Sequence, residues 1–216
     1  MTFTRITTAA AILSTLTAFG ASAETFSADV WADNWFSMSV NGTQVAEDSV
    51  SITTERSFNA EQFTFEATRP FVIGVTAKDF KENDTGLEYI GTGRQQMGDG
   101  GIIFQIKDAS GEIVSVSDAS WSCLVTHVAP LEKSCESEAN PVAGSGACGF
   151  DITDTPTGWD TADFDASDWQ GATEWSERDV SPKDGYNRVT WDANAQLIWG
   201  PDLETDNTVL CRAVIN

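Results

Sequence analysis

The residues best suited to binding a ligand are concentrated between Asp79 and Gly100, a stretch with no strand or helix pattern. Unstructured connections of this length in a compact domain are usually functional or disordered. The stretch offers a carboxylate, an aromatic ring, a guanidinium group and an amide, from Glu88, Tyr89, Arg94 and Gln95. Trp191 lies in a second irregular stretch, 180–195. An aromatic face with planar polar groups suits a sugar, so these five residues are the predicted ligand site. The alternative is that Arg94 pairs with an acid and Tyr89 packs at an edge.

Hydrolytic chemistry has less support in the sequence. His127 is the only histidine, so a Ser-His-Asp triad would have to use it, and no partner motif accompanies it. Ser145 lies in the sequence AGSGA, which does not match the G-x-S-x-G pattern of a nucleophile elbow. We therefore predict no catalytic residue. An unrecognised glycoside hydrolase stays open, because its paired carboxylates are defined by separation in space.

A structural Ca²⁺ ion is the one cofactor that the sequence suggests. Hard oxygen ligands in the loops of an exported β-protein suit Ca²⁺, although no EF-hand spacing is present. The alternative is that these residues only form turns on an acidic surface. The candidate oxygen ligands form two groups, Asp151, Asp154, Asp160, Asp163, Asp165 and Asp168, and Asp202, Asp206 and Asn207.

The four cysteines predict two disulfides. An even number in an exported chain favours disulfides, and there is no C-x-x-C pair for zinc. Three pairings are possible. We favour Cys135–Cys148, which closes a short loop, together with Cys123–Cys211, which joins two predicted strands.

Residues 1–23 have the features of a secretory signal peptide. Arg5 precedes an apolar run, and Ala21-Ser22-Ala23 forms a small-x-small cleavage site. Cleavage leaves residues 24–216, predicted as one domain with a periplasmic or extracellular location. The whole chain has 33 acidic and 12 basic residues and a net charge of −21. Such a charge repels nucleic acids and anionic lipid headgroups, which excludes both as partners, and we expect no membrane insertion.

The dominant sequence period after the signal is two, which predicts strands. Asn41-Gly42 between two β-prone runs indicates a tight hairpin. About ten such runs occur, and no amphipathic helix of ten or more residues accompanies them. The prediction is an all-β fold, a two-sheet jelly-roll sandwich.

Three segments carry a resemblance to a known family. Trp159, with Phe164-Asp165-Ala166-Ser167-Asp168-Trp169, is similar to a motif of galactose-binding-like β-sandwich domains. The Asp33–Gly42 segment looks like the hairpin of that family, and 199–212 resembles the closing strand of a secreted bacterial subgroup. The resemblance implies a galactose-binding-like jelly roll that binds ligands through loops at one end or on one face. It also implies that Phe164 and Trp169 plug the edge of the sandwich.

The sequence thus predicts an exported, non-enzymatic binding module with a carbohydrate or small-molecule ligand. The first alternative is an envelope protein with a structural or protein-binding role. The second is the unrecognised glycoside hydrolase. A surface cleft in which Tyr89, Arg94 and Trp191 converge would favour a sugar, whereas a flat apolar patch would favour a protein partner.

Overall fold

A computed structural model describes residues 22–53 and 59–216. Most of the predicted signal peptide, residues 1–21, lies outside the described residues. The strands are β1 Glu24–Asp33, β2 Trp35–Val40, β3 Thr43–Glu47, β4 Ala60–Ala67, β5 Phe71–Lys78, β6 Leu87–Glu88, β7 Gln96–Met97, β8 Gly101–Asp108, β9 Ile113–Val116, β10 Ser122–Val128, β11 Asp151–Ile152, β12 Gln170–Gly171, β13 Thr173–Trp175, β14 Leu197–Trp199 and β15 Asp206–Ile215. The helical elements are one α-turn, α1 Glu177–Val180, and 3-10 turns at Lys133–Ser137, Gly146–Cys148 and Tyr186–Arg188.

Two large antiparallel sheets confirm the predicted all-β class. The first sheet has the strand order β13-β14-β8-β1-β4, with β9 also paired to β8. The second has the order β11-β10-β15-β5-β2-β3, with β12 also paired to β10. β6 and β7 form a separate small hairpin. The arrangement is compatible with a jelly-roll sandwich, and no helix of the described residues is long and apolar enough to cross a membrane.

The core lies between the two sheets and is rich in aromatic residues. Phe26 on β1 stacks on Phe65 at 5.5 Å between ring centroids, and Phe104 meets Trp121 edge to face at 4.6 Å. The largest side chains with almost no exposed surface include Trp121, Trp199 and Phe36. Buried aromatic area of this size is a major contribution to the stability of a sandwich.

The predicted hairpin and both predicted disulfides are confirmed. Asn41 and Gly42 have φ angles of 48° and 80°, the positive values that a two-residue hairpin turn needs between β2 and β3. Cys123 and Cys211 are directly paired across β10 and β15, with Cα atoms 4.1 Å apart. Cys135–Cys148 closes the short loop. The disulfides are consistent with the predicted export.

Long connections cover the outer faces of both sheets. Arg212 on β15 donates to the Thr161 carbonyl oxygen and lies over the ring of Phe164. Phe164 in turn meets Trp169 edge to face. The expectation that Phe164 and Trp169 plug the sandwich edge is therefore corrected, since their segment packs on the outer face of the second sheet. The face of the first sheet is covered by 184–192, where Trp31 donates to the Asp184 carbonyl oxygen.

Candidate functional site

The segment from Asp79 to Gly100 closes one end of the sandwich. Asp33 at the end of β1 pairs with Gly101 at the start of β8, and Trp35 at the start of β2 pairs with Lys78 at the end of β5. These pairings place all four strand ends at the same end of the molecule. The segment leaves the second sheet after Lys78 and enters the first sheet at Gly101, so it crosses this end.

A small hairpin, β6–β7, forms the centre of the segment and rests on the Cys135–Cys148 loop. Leu87 is fully buried in a cluster with the two cysteines. Gln95 donates from Nε2 to the carbonyl oxygens of Glu136 and Glu138, at 2.8 Å each. The disulfide loop therefore supports the hairpin from one side.

The structure brings four of the five sequence-predicted ligand residues onto this hairpin. The Arg94 guanidinium lies over the Tyr89 ring, 4.2 Å from its centroid. Gln95 is held by the disulfide loop through its two hydrogen bonds. Glu88 is 5% exposed and accepts a hydrogen bond from Gln96 Nε2 at 2.9 Å, so it faces inward.

Trp191, the fifth residue, occupies a different environment. Its ring packs against Tyr186 with 5.8 Å between centroids, and its Nε1 donates to the Tyr186 carbonyl oxygen. It belongs to the residues that pack on the main core, whereas Leu87 of the hairpin belongs to the cluster around the disulfide. A role for Trp191 in ligand binding together with the hairpin residues stays a prediction.

An open groove of about 490 Å³ runs beside the hairpin. Among the described residues, the groove is lined by one aromatic side chain, that of Trp175, the last residue of β13. The Trp175 Nε1 donates to the Gly200 carbonyl oxygen at 3.1 Å. The remaining polar lining comes from the hairpin segment, α1, the 3-10 turn that leads into the disulfide loop, and the turn before β15. It comprises Gln96, Asp99, Lys133, Asp179, Asp202 and Glu204. Lys133 Nζ bridges Asp202 at 3.0 Å and Glu204 at 2.6 Å.

Sequence reasoning missed this groove because its residues come from five separate parts of the chain. Trp175 is the last residue of β13 and offers no motif of its own. The available signal was a tryptophan at the end of a very short strand, followed by the polar turn Ser176-Glu177-Arg178-Asp179. A side chain at such a position on an edge strand retains an accessible face.

Three buried carboxylates lie near the groove. Asp33, Asp79 and Glu88 are 1%, 3% and 5% exposed. Neither oxygen of Asp79 accepts a hydrogen bond from the described residues, and the nearby Phe80 N–H donates to Asn34 Oδ1. The Asp79 carboxylate lies against Gly98, so close that a Cβ at Gly98 would fall 1.5 Å from Oδ2.

Burial sets the protonation of these groups. Desolvation raises the pKa of Asp79 well above its ordinary value, and the charges of Asp33, Glu88 and Asp99 raise it further. Desolvation likewise raises the pKa of Asp33, with the charge of Asp99 next in importance. Lys183 opposes this effect from 3.6 Å to Asp33 and 3.4 Å to Asp99. A buried carboxylate without donors is most stable in its neutral form.

His127 stands in a buried, structural environment. Its Nε2 is 3.3 Å from Asp84 Oδ1, and its ring stacks on Phe150. Burial lowers the pKa of His127, and Lys81 lowers it further. Ser145 is exposed on the disulfide loop. The contacts of the described residues therefore do not assemble the triad that sequence analysis considered.

Several of the acidic residues considered for Ca²⁺ accept hydrogen bonds within the protein. Asp160 accepts from Ser39 Oγ at 2.6 Å, Asp165 accepts from the Ser167 N–H, and Asp206 accepts from the Asp202 N–H. Across residues 22–53 and 59–216, no group of three or more His, Cys, Asp or Glu side chains is placed to hold a metal ion. Asp165 and Asp202 stabilise local turns, since each accepts from backbone N–H groups two or three residues further along the chain.

A second polar groove, of about 230 Å³, lies on the outer face of the second sheet. Ser39, Gly74 and Asp160 line it together with Trp159. Trp159 is only 9% exposed and stacks on Trp169, and a Cβ at Gly74 would touch its ring. Because this tryptophan is already covered, it offers a ligand less aromatic surface than half-buried Trp175 does.

Comparison of the chain with protein-family models, with curated proteins and with solved structures finds no match. The all-β sandwich therefore stands on the geometry of the two sheets, and the galactose-binding-like type stays a prediction.

Proposed function

We propose that this chain is an exported, non-enzymatic binding module with a galactose-binding-like sandwich, and that its ligand is a carbohydrate held in the groove beside Trp175. The observation that carries the proposal is the composition of that groove. One half-buried tryptophan is surrounded by carboxylate, amide and ammonium groups in an open space of about 490 Å³. This volume lies within the usual range for ligand sites, roughly 300–1,000 Å³.

A sugar presents two kinds of surface to a protein. The C–H face of a pyranose ring packs on an aromatic face, and its hydroxyl edge needs planar hydrogen-bonding groups. Trp175 supplies the first, and Gln96, Asp99 and Asp179 supply the second. An apolar ligand would leave these polar groups without partners, which is costly.

The hairpin tip extends this surface in the proposal. Tyr89 and Arg94 belong to the loop that joins β6 to β7, and Gln96 of β7 lines the groove. Arg94 is exposed, with its guanidinium stacked on Tyr89. In the proposal, a ligand longer than the groove extends onto this stacked pair.

Glycoside hydrolysis is the second candidate function, and one feature of the groove favours it. Desolvation raises the pKa of Asp99. The hydrogen bond and charge of Lys133, with two backbone N–H groups, lower the pKa of Asp202 despite its partial burial. Two carboxylates with pKa values shifted in opposite directions are what an acid and a nucleophile or base require. Release of reducing ends from a bound oligosaccharide, lost in Asp99→Asn, would replace the binding proposal with this one.

The test of the proposal is oligosaccharide binding by Trp175 variants. Isothermal titration against neutral, amino and acidic oligosaccharides identifies the ligand of the parent protein. We expect Trp175→Ala to bind that ligand at least tenfold more weakly, about 1.4 kcal/mol, because the stacking face is lost. Trp175→Phe keeps an aromatic face and should retain part of the affinity.

Trp169→Ala is the matched control. Trp169 is also half-buried, but it packs on Trp159 and Phe164 outside the groove, so its loss should leave the affinity unchanged. Thermal midpoints of all variants separate lost binding from lost folding. Unaltered affinity in folded Trp175→Ala, or no binding of any oligosaccharide by the parent, would overturn the proposal.

A further inference from the structure

We propose that the ligand of the Trp175 groove carries positive charge, and that it is an oligosaccharide of amino sugars with free ammonium groups. This inference rests on the proposed function, because it names the class of sugar for that same groove. It is carried by the charges around Trp175 and by the buried carboxylate behind Gly98.

The lining of the groove is predominantly acidic. Four carboxylates of the described residues line it, those of Asp99, Asp179, Asp202 and Glu204, and two ammonium groups lie against them, since Lys183 is 3.4 Å from Asp99 and Lys133 also lines the groove. Lys133 already bridges Asp202 and Glu204. Asp179 is exposed and its side chain accepts from Ser176 Oγ, a neutral donor. Negative charge beside the tryptophan is therefore incompletely neutralised.

A second, independent observation comes from Asp79. Its side chain is nearly fully buried, neither of its oxygens has a hydrogen-bond partner among the described residues, and it is pressed against Gly98. Gly98 lines the groove, whereas Asp79 lies behind it and lines a neighbouring pocket together with Phe80 and His127. A cation bound beside Gly98 would favour the ionised form of this carboxylate, and the ionised carboxylate would attract the cation in return.

An amino sugar matches this combination of groups. Its ring stacks on an aromatic face, and its ammonium group donates up to three hydrogen bonds to carboxylates. An ammonium over the face of an indole also gains from the electrostatic attraction between cations and aromatic rings. N-acetylation removes the charge, and a uronic acid reverses it. A chain with a net charge of −21 would repel the acidic sugar at long range as well.

The experiment compares glucosamine oligomers with N-acetylglucosamine oligomers of equal length. We expect the glucosamine oligomer to bind the parent protein at least tenfold more tightly at about 20 mM NaCl. That preference should shrink toward unity at about 500 mM NaCl, since salt screens exposed charges. Oligogalacturonate should bind more weakly than either.

Asp179→Asn is the informative variant. The amide keeps an acceptor for Ser176 Oγ and removes the charge, so the affinity for glucosamine oligomers should fall several-fold while that for the N-acetylated oligomer should not. Asp163→Asn is the control, because Asp163 is exposed and does not line the groove. Thermal midpoints establish that both variants are folded.

The outcomes separate this inference from the function on which it rests. Equal, Trp175-dependent binding of both oligomers would overturn the inference and leave carbohydrate binding intact. Failure of every oligosaccharide to bind would overturn both. Binding of spermidine as tight as that of the glucosamine oligomer would show that charge alone is recognised, which would overturn the assignment to amino sugars.

Discussion

Gly86→Ala is expected to lower the free energy of unfolding by about 2–5 kcal/mol, because strain and overpacking add at this position. Gly86 has a φ of +74°, which costs a residue with a side chain about 1–2 kcal/mol. A Cβ at Gly86 would also fall 2.0 Å from the Ala129 carbonyl oxygen. That oxygen accepts from Asn207 Nδ2 at 2.8 Å, so it is held in place by the start of β15.

Gly91→Ala is a closely matched control for this prediction. Gly91 has the same φ of +74° and lies in the same segment, but nothing lies within 4 Å of the position that a Cβ would occupy there. It should therefore show only the conformational cost of about 1–2 kcal/mol. Urea unfolding of the two variants and the parent measures the difference. Equal losses of stability would contradict the close packing of the Asp79–Gly100 segment against Ala129.

Asp79→Asn is expected to stabilise the protein at pH 8 and to weaken the dependence of its stability on pH. Burial raises the pKa of Asp79 in the folded protein above 3.8, the ordinary pKa of an aspartate. Above pH 3.8 the unfolded chain therefore releases a proton that the folded protein retains. The stabilisation from this group is complete below pH 3.8 and is lost as the pH rises through the folded pKa. Each pKa unit corresponds to about 1.4 kcal/mol. The amide is uncharged throughout and avoids this loss.

The measurement is urea unfolding at a series of pH values from the ordinary pKa of an aspartate, 3.8, up to pH 8. Asp163→Asn removes an equal formal charge from an exposed position and corrects for the general self-repulsion of an acidic chain. The free energy of unfolding should fall with pH more steeply in the parent and in Asp163→Asn than in Asp79→Asn. Parallel profiles for all three proteins would show that Asp79 is ionised in the folded state at no cost.

Local signals in the sequence were enough to predict the all-β class of the fold. Strict alternation and the Asn41-Gly42 turn predicted the β2–β3 hairpin, because both depend on neighbouring residues only. The central strand β1 was missed, although Phe26, Ala28 and Val30 alternate into the core. Trp31 obscures that alternation, since it is apolar and buried although it lies with Asp29 on the opposite face of β1. Asp29 is tolerated because Lys107 lies 2.9 Å away and Gln105 donates to it.

The candidate site was predicted less completely, for a physical reason. The sequence indicated the segment 79–100 as the candidate site, because its length and polar content are local properties. It did not indicate Trp175, Asp179 or Lys133, which join that segment only through the pairing of β13 with β14 and through the Cys135–Cys148 loop. Trp191 was grouped with Arg94 by residue type, whereas the structure packs its ring on Tyr186. Long-range pairing determines which side chains share a groove.

The most direct test of carbohydrate binding in the groove is a ¹⁵N–¹H NMR titration that follows the indole N–H signals of the tryptophans. The Trp175 signal is assigned by its disappearance in Trp175→Phe. On addition of the best-binding oligosaccharide, we predict that the Trp175 signal shifts to saturation, whereas those of Trp159 and Trp169 stay in place. Shifts centred on Trp159 and Trp169, or on Trp191 alone, would place the ligand elsewhere and contradict the proposed site, and the absence of any shift would contradict the proposed function.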